Sequence, residues 1–210
     1  AYDSIDGNDG TFGGSATRTT GLIGAGAAQF NHITDDAVNV SNGVGHENDF
    51  VFTTGIAVEA LILPDTTLGT NQYEEIFRKN DSDAMVLLSF QEYGTILSFG
   101  LNTGGNSELD MPLDGSNGRP TLADLKDGNP HHIVATYDSA TGRKAIWIDG
   151  VERYYSESFD PGTLITSGGD APALIGNYYD NYYDGPYGES FAGIIDEVAI
   201  YDVGLSHADI

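Results

Sequence analysis

The stretch Gly193–Tyr201, with the sequence GIIDEVAIY, decides the fold because its apolar residues follow the pattern of a β-strand. Side chains of a strand alternate between its two faces, so a regular strand places Asp196 beside Ile194, Val198 and Ile200. This predicts a carboxylate on a buried apolar face, which is costly unless it is paired, hydrogen-bonded or bound to a metal. Two alternatives remain open: a calcium ion, which prefers hard oxygen ligands, or a carboxylate that is hydrated or accepts bonds from backbone amides.

The charge of the whole chain also favours a bound cation. Among 210 residues, 32 are acidic and 8 are basic, which gives a formal net charge of −24 at pH 7. Self-repulsion of this kind destabilises a compact chain, and bound cations relieve it. The same field excludes nucleic acid and anionic membranes as partners, and no apolar run approaches the roughly 20 residues of a membrane-inserted helix. The absence of cysteine fits a bacterial extracellular domain held by calcium rather than by disulfides.

Short apolar or alternating runs, separated by turn residues, recur along the chain, and no linker divides it. This pattern predicts one all-β domain over residues 1–210, a two-sheet antiparallel β-sandwich excised from a larger protein. Strands are predicted at residues 26–30, 37–40, 56–63, 75–78, 84–90, 95–101, 132–137, 145–148, 151–154, 173–175 and 193–201. The pair Asp149-Gly150 predicts a tight hairpin turn, because both residues accept positive φ angles. Only the stretch from Leu205, with Ser206 and Asp209 as its N-cap pair, is predicted to be helical.

Six stretches resemble laminin-G-like jelly-roll domains, in the order that this family has them. They are DSIDGNDGT at 3–11, VEALILP at 58–64, DGNPHHIVATYD at 127–138, IWIDG at 146–150, GIIDEVAIY at 193–201 and LSHADI at 205–210. The resemblance covers the chain from end to end and implies a concanavalin-A-like jelly roll. In this family the Asp of the I-D-E-V strand binds a structural calcium ion, which implies Asp196 as a ligand. Asp3 and Asn31, in companion segments, are implied as further calcium ligands, and His132 is implied as a histidine of the core.

Laminarinase-type glycoside hydrolases have the same jelly-roll fold, and their catalytic residues follow a characteristic sequence pattern. These enzymes need two carboxylates about 5 Å apart on one strand face, typically written E-x-D-x-x-E. Glu108 and Asp110 begin this pattern, but Leu113 stands where the second Glu belongs. There is no cysteine nucleophile and no Ser-His-Asp signature. The sequence therefore predicts no catalytic activity.

The tyrosine-rich segment 177–189, NYYDNYYDGPYGE, is the most unusual local composition and holds five of the 12 tyrosines. A tyrosine ring offers an apolar face for a sugar ring and a hydroxyl for its polar rim, and Asp or Asn bonds to sugar hydroxyls or calcium. The predicted ligand-binding residues are Asn177, Tyr179, Asp180, Asn181, Tyr182, Tyr183, Asp184 and Tyr187. The alternative is a rigid surface loop whose tyrosines pack on one another and on the framework.

Together these features predict a calcium-dependent recognition module that binds carbohydrate. We expect a monomeric, lectin-like domain of a bacterial adhesin or of a secreted polysaccharide-degrading protein, located outside the cell or on its surface. One alternative is a structural spacer, or a protein- or peptide-binding domain, in which calcium only stabilises the fold. Another is a glycan hydrolase or lyase whose catalytic residues follow no known pattern.

Overall fold

The computed structural model describes residues 9–32, 36–41, 50–79, 85–166, 172–178 and 189–210. These residues form strands, one short α-helix and one short 3-10 helix. The strands are β1 (Thr11–Gly13), β2 (Thr17–Thr19), β3 (Ala27–Asn31), β4 (Ala37–Ser41), β5 (Gly55–Pro64), β6 (Tyr73–Lys79), β7 (Val86–Gln91), β8 (Ile96–Asn102), β9 (Asn106–Pro112), β10 (His131–Asp138), β11 (Arg143–Ile148), β12 (Val151–Ser156), β13 (Ala173–Ile175) and β14 (Ala192–Tyr201). The 3-10 helix is Ser116–Gly118, and the α-helix α1 is Leu122–Leu125.

The strands form two seven-stranded sheets. Sheet A has the order β1-β4-β13-β6-β7-β8-β9, and sheet B has the order β12-β11-β10-β5-β14-β3-β2. Neighbouring strands in both sheets are antiparallel. The predicted all-β, two-sheet antiparallel sandwich is therefore confirmed.

The inner faces of the two sheets enclose one core of aliphatic and aromatic side chains. Every second residue from Ile56 to Ile62 on β5 is fully buried in it, as expected for a half-buried strand. The ring of Phe191 connects the layers, because its centroid lies 6.4 Å from that of Phe30 in sheet B and 6.4 Å from that of Phe90 in sheet A. Aromatic pairs at such separations add to the stability that burial provides.

The predicted strands match observed strands within a few residues at each end, and β1, β2 and β9 are additional. The Asp149-Gly150 turn is confirmed, with φ angles of 54° and 72° that join β11 to β12. Strands β1 and β2 have three residues each, which is too short for a period of two to be recognised in the sequence. Strand β9 alternates exposed polar residues with buried apolar ones and contributes two carboxylates to the candidate site.

The predicted C-terminal helix is wrong. Ser206 Oγ does donate to Asp209 Oδ2 at 2.6 Å, as in an N-cap pair, but the residues that follow form a single turn. The helix of the described residues is α1, where Thr121 and Asp124 form a reciprocal capping box. No helix of the described ranges is long and apolar enough to cross a lipid bilayer.

Candidate functional site

A β-bulge changes the face on which Asp196 lies. The register of β14 on β5 shifts between Asp196 and Ala199, and Glu197 in the bulge has a positive φ of 48°. The extra residue lets both Ile195 and Ile200 contact the core, which an unbroken alternation forbids. Asp196 therefore lies on the outer face of sheet B, and the prediction that it shares a face with Ile200 is wrong.

Backbone amides bind the carboxylate of Asp196, which is only 6% exposed because the residues between β2 and β3 cover it. Its Oδ2 accepts from the backbone N–H groups of Leu22 at 2.8 Å and Ile23 at 3.0 Å. Its Oδ1 accepts from the N–H of Glu197 at 3.0 Å. These bonds satisfy hydrogen-bonding positions of a buried carboxylate, as the second of the two alternatives describes, and the calcium alternative stays a prediction.

The residues implied as calcium ligands do not meet within the described ranges. Asn31 pairs with Ala192, four residues and roughly 13 Å along β14 from Asp196. Its amide donates to Ser15 O at 3.2 Å, and its backbone N–H donates to the buried Asp36 at 2.9 Å. Asp3 lies outside the described residues, which contain no cluster of three or more His, Cys, Asp or Glu side chains suited to a metal. Acidic or histidine side chains for a metal are thus not grouped around Asp196 in the described ranges, and the calcium site, whose companion ligands are implied to be largely backbone oxygens, stays a prediction.

Most of the tyrosine-rich segment lies outside the described residues. The predicted ligand-binding residues that lie there are Tyr179, Asp180, Asn181, Tyr182, Tyr183, Asp184 and Tyr187. Asn177 is described and is fully buried; its Oδ1 accepts from the backbone N–H of Tyr178 at 2.8 Å, while its Nδ2 has no hydrogen-bond partner among the described residues. Asn177 is thus a buried residue that fixes the backbone at the start of the segment.

Both described ends of the segment contact β6 in the middle of sheet A. The ring of Tyr178 lies under the guanidinium of Arg78, 4.7 Å from its centroid, a distance at which cation–π attraction operates. At the other end, the carbonyl of Glu189 accepts from the backbone N–H of Glu75 at 2.8 Å. The segment therefore begins and ends beside the outer face of sheet A.

That outer face carries polar side chains on four adjacent strands, and we call it the polar face. Its residues are Glu75 and Arg78 of β6, Ser89 and Gln91 of β7, Ser98 of β8, and Glu108 and Asp110 of β9. Glu75, Ser89, Ser98 and Asp110 are partners in one register row across the sheet. The alternate residues, such as Leu88, Phe99 and Met111, enter the core. The strand period thus separates a dry inner face from a hydrophilic outer one.

Hydrogen bonds connect the side chains of the polar face. Ser98 Oγ is 2.7 Å from Asp110 Oδ1 and 3.1 Å from Glu108 Oε2. The amide of Gln91 donates to Glu108 Oε2 at 2.9 Å and to Ser89 Oγ at 3.2 Å. The two serines are fully buried, whereas Glu108 and Asp110 are exposed at the end of the row. Solvent-accessible oxygens are therefore held in place by a buried network.

Burial dominates the electrostatics at the β6 end of the polar face. It raises the pKa of the fully buried Glu75 well above its usual value, although Arg78 Nη1, 3.0 Å from Glu75 Oε1, acts in the opposite direction. The carboxyl of Glu189 lies within hydrogen-bonding reach of Glu75 and raises this pKa further. Two carboxyl groups in such contact share one proton, because both cannot ionise at low cost. Burial and the charges of Glu92, Glu189 and Glu108 also raise the pKa of Tyr73.

A buried lysine reaches β9 from sheet B. Lys144 is 1% exposed, and its Nζ donates to the backbone carbonyl of Ser107 at 2.6 Å. Burial lowers its pKa to about 7, while Glu108 and Asp110 act to raise it. The carboxylates of Glu108 and Asp110 thus interact electrostatically with the ammonium group of Lys144 on the core side of the sheet. On the outer side they accept hydrogen bonds from Ser98 and Gln91.

The sequence identified Glu108 and Asp110 only as a broken hydrolase pattern and missed their strand. The signal was available, because NSELDMP alternates polar residues with Leu109 and Met111, the period of a half-buried strand. The implied role of His132 is also wrong: His131 is the buried histidine, 2.9 Å from Asp149 Oδ2 through Nδ1. His132 is half-buried on the outer face of sheet B.

His132 belongs to a smaller polar cluster on the outer face of sheet B. Its Nε2 lies 2.6 Å from Glu59 Oε1 on β5, and the hydroxyl of Tyr201 on β14 donates to Glu59 Oε2 at 2.8 Å. This bond and burial raise the pKa of Tyr201, so its hydroxyl stays protonated at neutral pH. The cluster joins three adjacent strands of sheet B.

Several solved structures share the fold. Domain 4 of AbnA, an extracellular arabinanase of family GH43 from Geobacillus stearothermophilus solved with arabinotriose, is 22% identical; the match covers 94% of this chain and 80% of that one with a TM-score of 0.62. The binding domain of botulinum neurotoxin serotype G is 13% identical over 98% of this chain and 46% of that one, with a TM-score of 0.61. At these identities the likeness concerns the fold alone: a lectin-like jelly roll.

Sequence relatives extend this likeness. C-reactive protein of Mesocricetus auratus is 33% identical over 85 residues, which are 39% of this chain and 35% of that protein. C-reactive protein of Rattus norvegicus is 35% identical over 82 residues, 39% of this chain and 34% of that protein. The match thus spans about a third of the length of these relatives. The profile of the concanavalin A-like lectin/glucanases superfamily, Laminin_G_3, matches residues 32–210, and the chain therefore belongs to this family.

Proposed function

We propose that this chain is a carbohydrate-binding module whose binding surface is the polar face of sheet A, bordered by the tyrosine-rich segment. One observation carries the proposal: hydrogen bonds from the buried Ser98 and from Gln91, on neighbouring strands of the sheet, hold the exposed carboxylates of Glu108 and Asp110. Binding groups held by strands and by a supporting set of hydrogen bonds lose little freedom when a ligand arrives.

The chemistry of the face suits sugar hydroxyls. The exposed carboxylates of Glu108 and Asp110 accept hydrogen bonds from hydroxyl groups, whereas the amide of Gln91 both donates and accepts. Tyr73 and Tyr178 flank the β6 end of the face, where aromatic rings are available to the apolar side of a sugar. The face carries the carboxyl groups of Glu75, Glu108 and Asp110 against the single basic side chain of Arg78, which is paired with Glu75. A neutral saccharide therefore suits it better than an acidic one.

Related proteins support the ligand class. The AbnA domain was solved with arabinotriose, and a structure of botulinum neurotoxin type C, 12% identical with a TM-score of 0.62, is described as a toxin whose cell entry depends on two ganglioside molecules. These properties belong to those proteins. They make carbohydrate the first ligand class to test for this chain.

Calcium and an extracellular location remain part of the proposal. The net charge of −24 favours bound cations, and the family resemblance implies a structural calcium. No ligand set is assigned to this ion among the described residues. The melting temperature measured with millimolar calcium and with EDTA tests the proposal; an identical melting temperature would remove calcium from it.

Isothermal titration with arabinotriose and with ganglioside oligosaccharides tests the recognition function. We expect Asp110→Asn to weaken binding at least about tenfold, because a hydrogen bond to a charged group contributes about 1.5–3 kcal/mol. Asp202→Asn is the matched control, since it removes the same charge from an exposed residue after β14. If neither saccharide class binds the folded wild type at millimolar concentration, the spacer or protein-binding alternative replaces the proposal. Equal weakening by both variants would assign the effect to net charge rather than to the polar face.

A further inference from the structure

Basic and aromatic side chains concentrate around β12, the edge strand of sheet B. The chain has only 8 basic residues, yet Arg119, Arg143 and Arg153 all contact this strand or belong to it. Tyr155 of β12 is 55% exposed and Val151 is 47% exposed. Among the described strands β12 pairs with β11 alone, so its other edge has no strand partner.

Two cavities meet at this strand and share the side chain of Glu152. One, of about 310 Å³, is lined by Asn117, Arg119, Arg153 and the two tyrosines of β12. The other, of about 580 Å³, lies between β11, β12 and the C-terminal residues Leu205 to His207, and Trp147 forms part of its wall. We call the two together the β12 cleft. Its size falls in the range of about 300–1,000 Å³ typical of small-molecule sites.

The walls of the β12 cleft are fixed by charge and ring contacts. The guanidinium of Arg143 lies over the Tyr155 ring at 4.5 Å and bonds to Glu152 Oε2 at 2.8 Å. Arg119 lies over the Tyr154 ring at 5.6 Å and forms an ion pair with Asp114 at 2.9 Å. These contacts hold the aromatic rings in one orientation, so a ligand does not have to order them.

Two buried donors at the cleft lack acceptors. Arg153 Nη1 donates to the carbonyl of Gly118 at 2.8 Å, but its Nε is buried and has no hydrogen-bond partner among the described residues. The Nε1 of Trp147, a residue 6% exposed, is also buried and unpartnered in that part of the chain. A buried donor without an acceptor costs about 1–3 kcal/mol, and because neither nitrogen is accessible from the cleft, a ligand contacts Arg153 through the rest of its guanidinium.

From this geometry we infer that the β12 cleft is a second saccharide site, which binds a neutral oligosaccharide. One sugar ring stacks on Tyr155, its hydroxyls donate to Glu152, and they accept from Arg153 and Asn117. A neutral ligand is favoured because Asp114, Glu152 and Glu157 offset the three arginines locally while the whole chain repels anions. The inference shares its ligand class with the proposed function but not its residues, which lie on the other sheet.

The cleft has its own optical reporter, because Trp147 is the single tryptophan of the chain. We would titrate the intact chain at pH 7.5 with arabinotriose, cellotriose and laminaritriose, and with tri-galacturonate as the acidic probe. Tryptophan fluorescence reports the β12 cleft, and the heat of binding reports all sites. We expect a saturable fluorescence change with at least one neutral trisaccharide, and a change at least tenfold weaker in affinity with tri-galacturonate.

Matched variants separate the two sites. Tyr155→Asn and Arg153→Gln should each weaken the fluorescence-detected affinity at least tenfold, whereas Tyr93→Asn and Arg18→Gln, at exposed residues elsewhere, should leave it unchanged. Asp110→Asn on the polar face should lower the total heat and leave the fluorescence titration intact. Heat of binding without a fluorescence change overturns the β12 cleft while the proposed function stands. A fluorescence change that survives both Tyr155→Asn and Arg153→Gln in folded variants also overturns it, and tighter binding of tri-galacturonate overturns the neutral ligand.

Discussion

The outer faces of the two sheets arise from the same alternation of side chains but differ in what covers them. On sheet A the outward residues of β6 to β9 include the hydrophilic side chains of the polar face, which ends in the exposed carboxylates of Glu108 and Asp110. On sheet B the outward residues of β10 and β11 include Val134 and Trp147, which the chain's own C-terminal residues cover. A face that the chain covers with itself contributes to stability, whereas a face left polar and supported from below is suited to a ligand. The four predictions that follow test this difference.

The largest effect is expected where sheet B is covered. Trp147→Ala removes the centre of the small cluster that also contains Val134, Leu205 and Ile210, and its ring packs on His207 with centroids 4.9 Å apart. We expect the free energy of unfolding to fall by about 3–5 kcal/mol, measured by urea denaturation. The counterpart on sheet A is Glu108→Ala, which removes an exposed acceptor of hydrogen bonds from Ser98 and Gln91, and for which we expect a smaller loss of about 0.5–1.5 kcal/mol. Similar losses from both variants would contradict the division between a structural and a ligand face.

Asp196 and Asp110 give the next comparison, since both are carboxylates on outer faces. Asp196→Ala removes the carboxylate that accepts from the amides of Leu22, Ile23 and Glu197, and hydrogen bonds to a charged group contribute about 1.5–3 kcal/mol. We expect a clear loss of unfolding free energy with saccharide affinity unchanged, and the reverse for Asp110→Ala. Calorimetric melting and titration of both variants measure this.

The same pair of variants, melted with calcium and with EDTA, sharpens the metal question. If the amides alone bind Asp196, the Asp196→Ala variant loses the same stability in both conditions. A calcium dependence of the wild type that disappears in Asp196→Ala would instead make this carboxylate a metal ligand.

Alternation in the sequence predicts the sandwich because most strands have one apolar and one polar face. It does not predict the bulge at Glu197, since a positive φ at a non-glycine residue is set by packing of β14 on β5 rather than by local sequence preference. One inserted residue reverses the face of Asp196, so an unbroken strand alternation predicts the wrong face for it. The alternation still predicts correctly that this carboxylate is buried and needs partners.

The polar face could be predicted from the sequence only in part. The alternation of β9 was readable, but the row that joins Glu75, Ser89, Ser98 and Asp110 depends on the registers of three strand pairs. Register follows from turn geometry and from the whole core, so no single stretch contains it. The tyrosine-rich segment was recognised from composition, yet its attachment to β6 at Tyr178 and Glu189 is a tertiary feature.

The third prediction concerns pH and the buried end of the polar face. The folded-state pKa of Glu75 is raised by burial and by Glu189, so its contribution to stability is full below its ordinary pKa and is lost as pH rises towards the folded value. Glu75→Gln keeps an oxygen for Arg78 and replaces the shared proton by an amide N–H. We expect this variant to match the wild type in unfolding free energy near pH 4 and to exceed it at pH 7.5. A difference that does not vary with pH would show that the carboxyl of Glu75 is not protonated in the fold.

The smallest effect is expected at the Glu59 cluster of sheet B. Tyr201→Phe removes one hydrogen bond of 2.8 Å to a partly exposed carboxylate, where solvent competes for both groups, so we expect a loss of about 0.5–1 kcal/mol. His132→Gln at the other side of Glu59 should cost a similar amount, and in the double variant a coupling energy near zero would show that the two contacts act independently. Because Glu59 bonds within sheet B and carries no part of either proposed site, saccharide affinity should be unchanged in all three variants. A tenfold loss of affinity in any of them would place a ligand around Glu59, outside both the polar face and the β12 cleft, and would contradict the assignment of saccharide binding to those two sites.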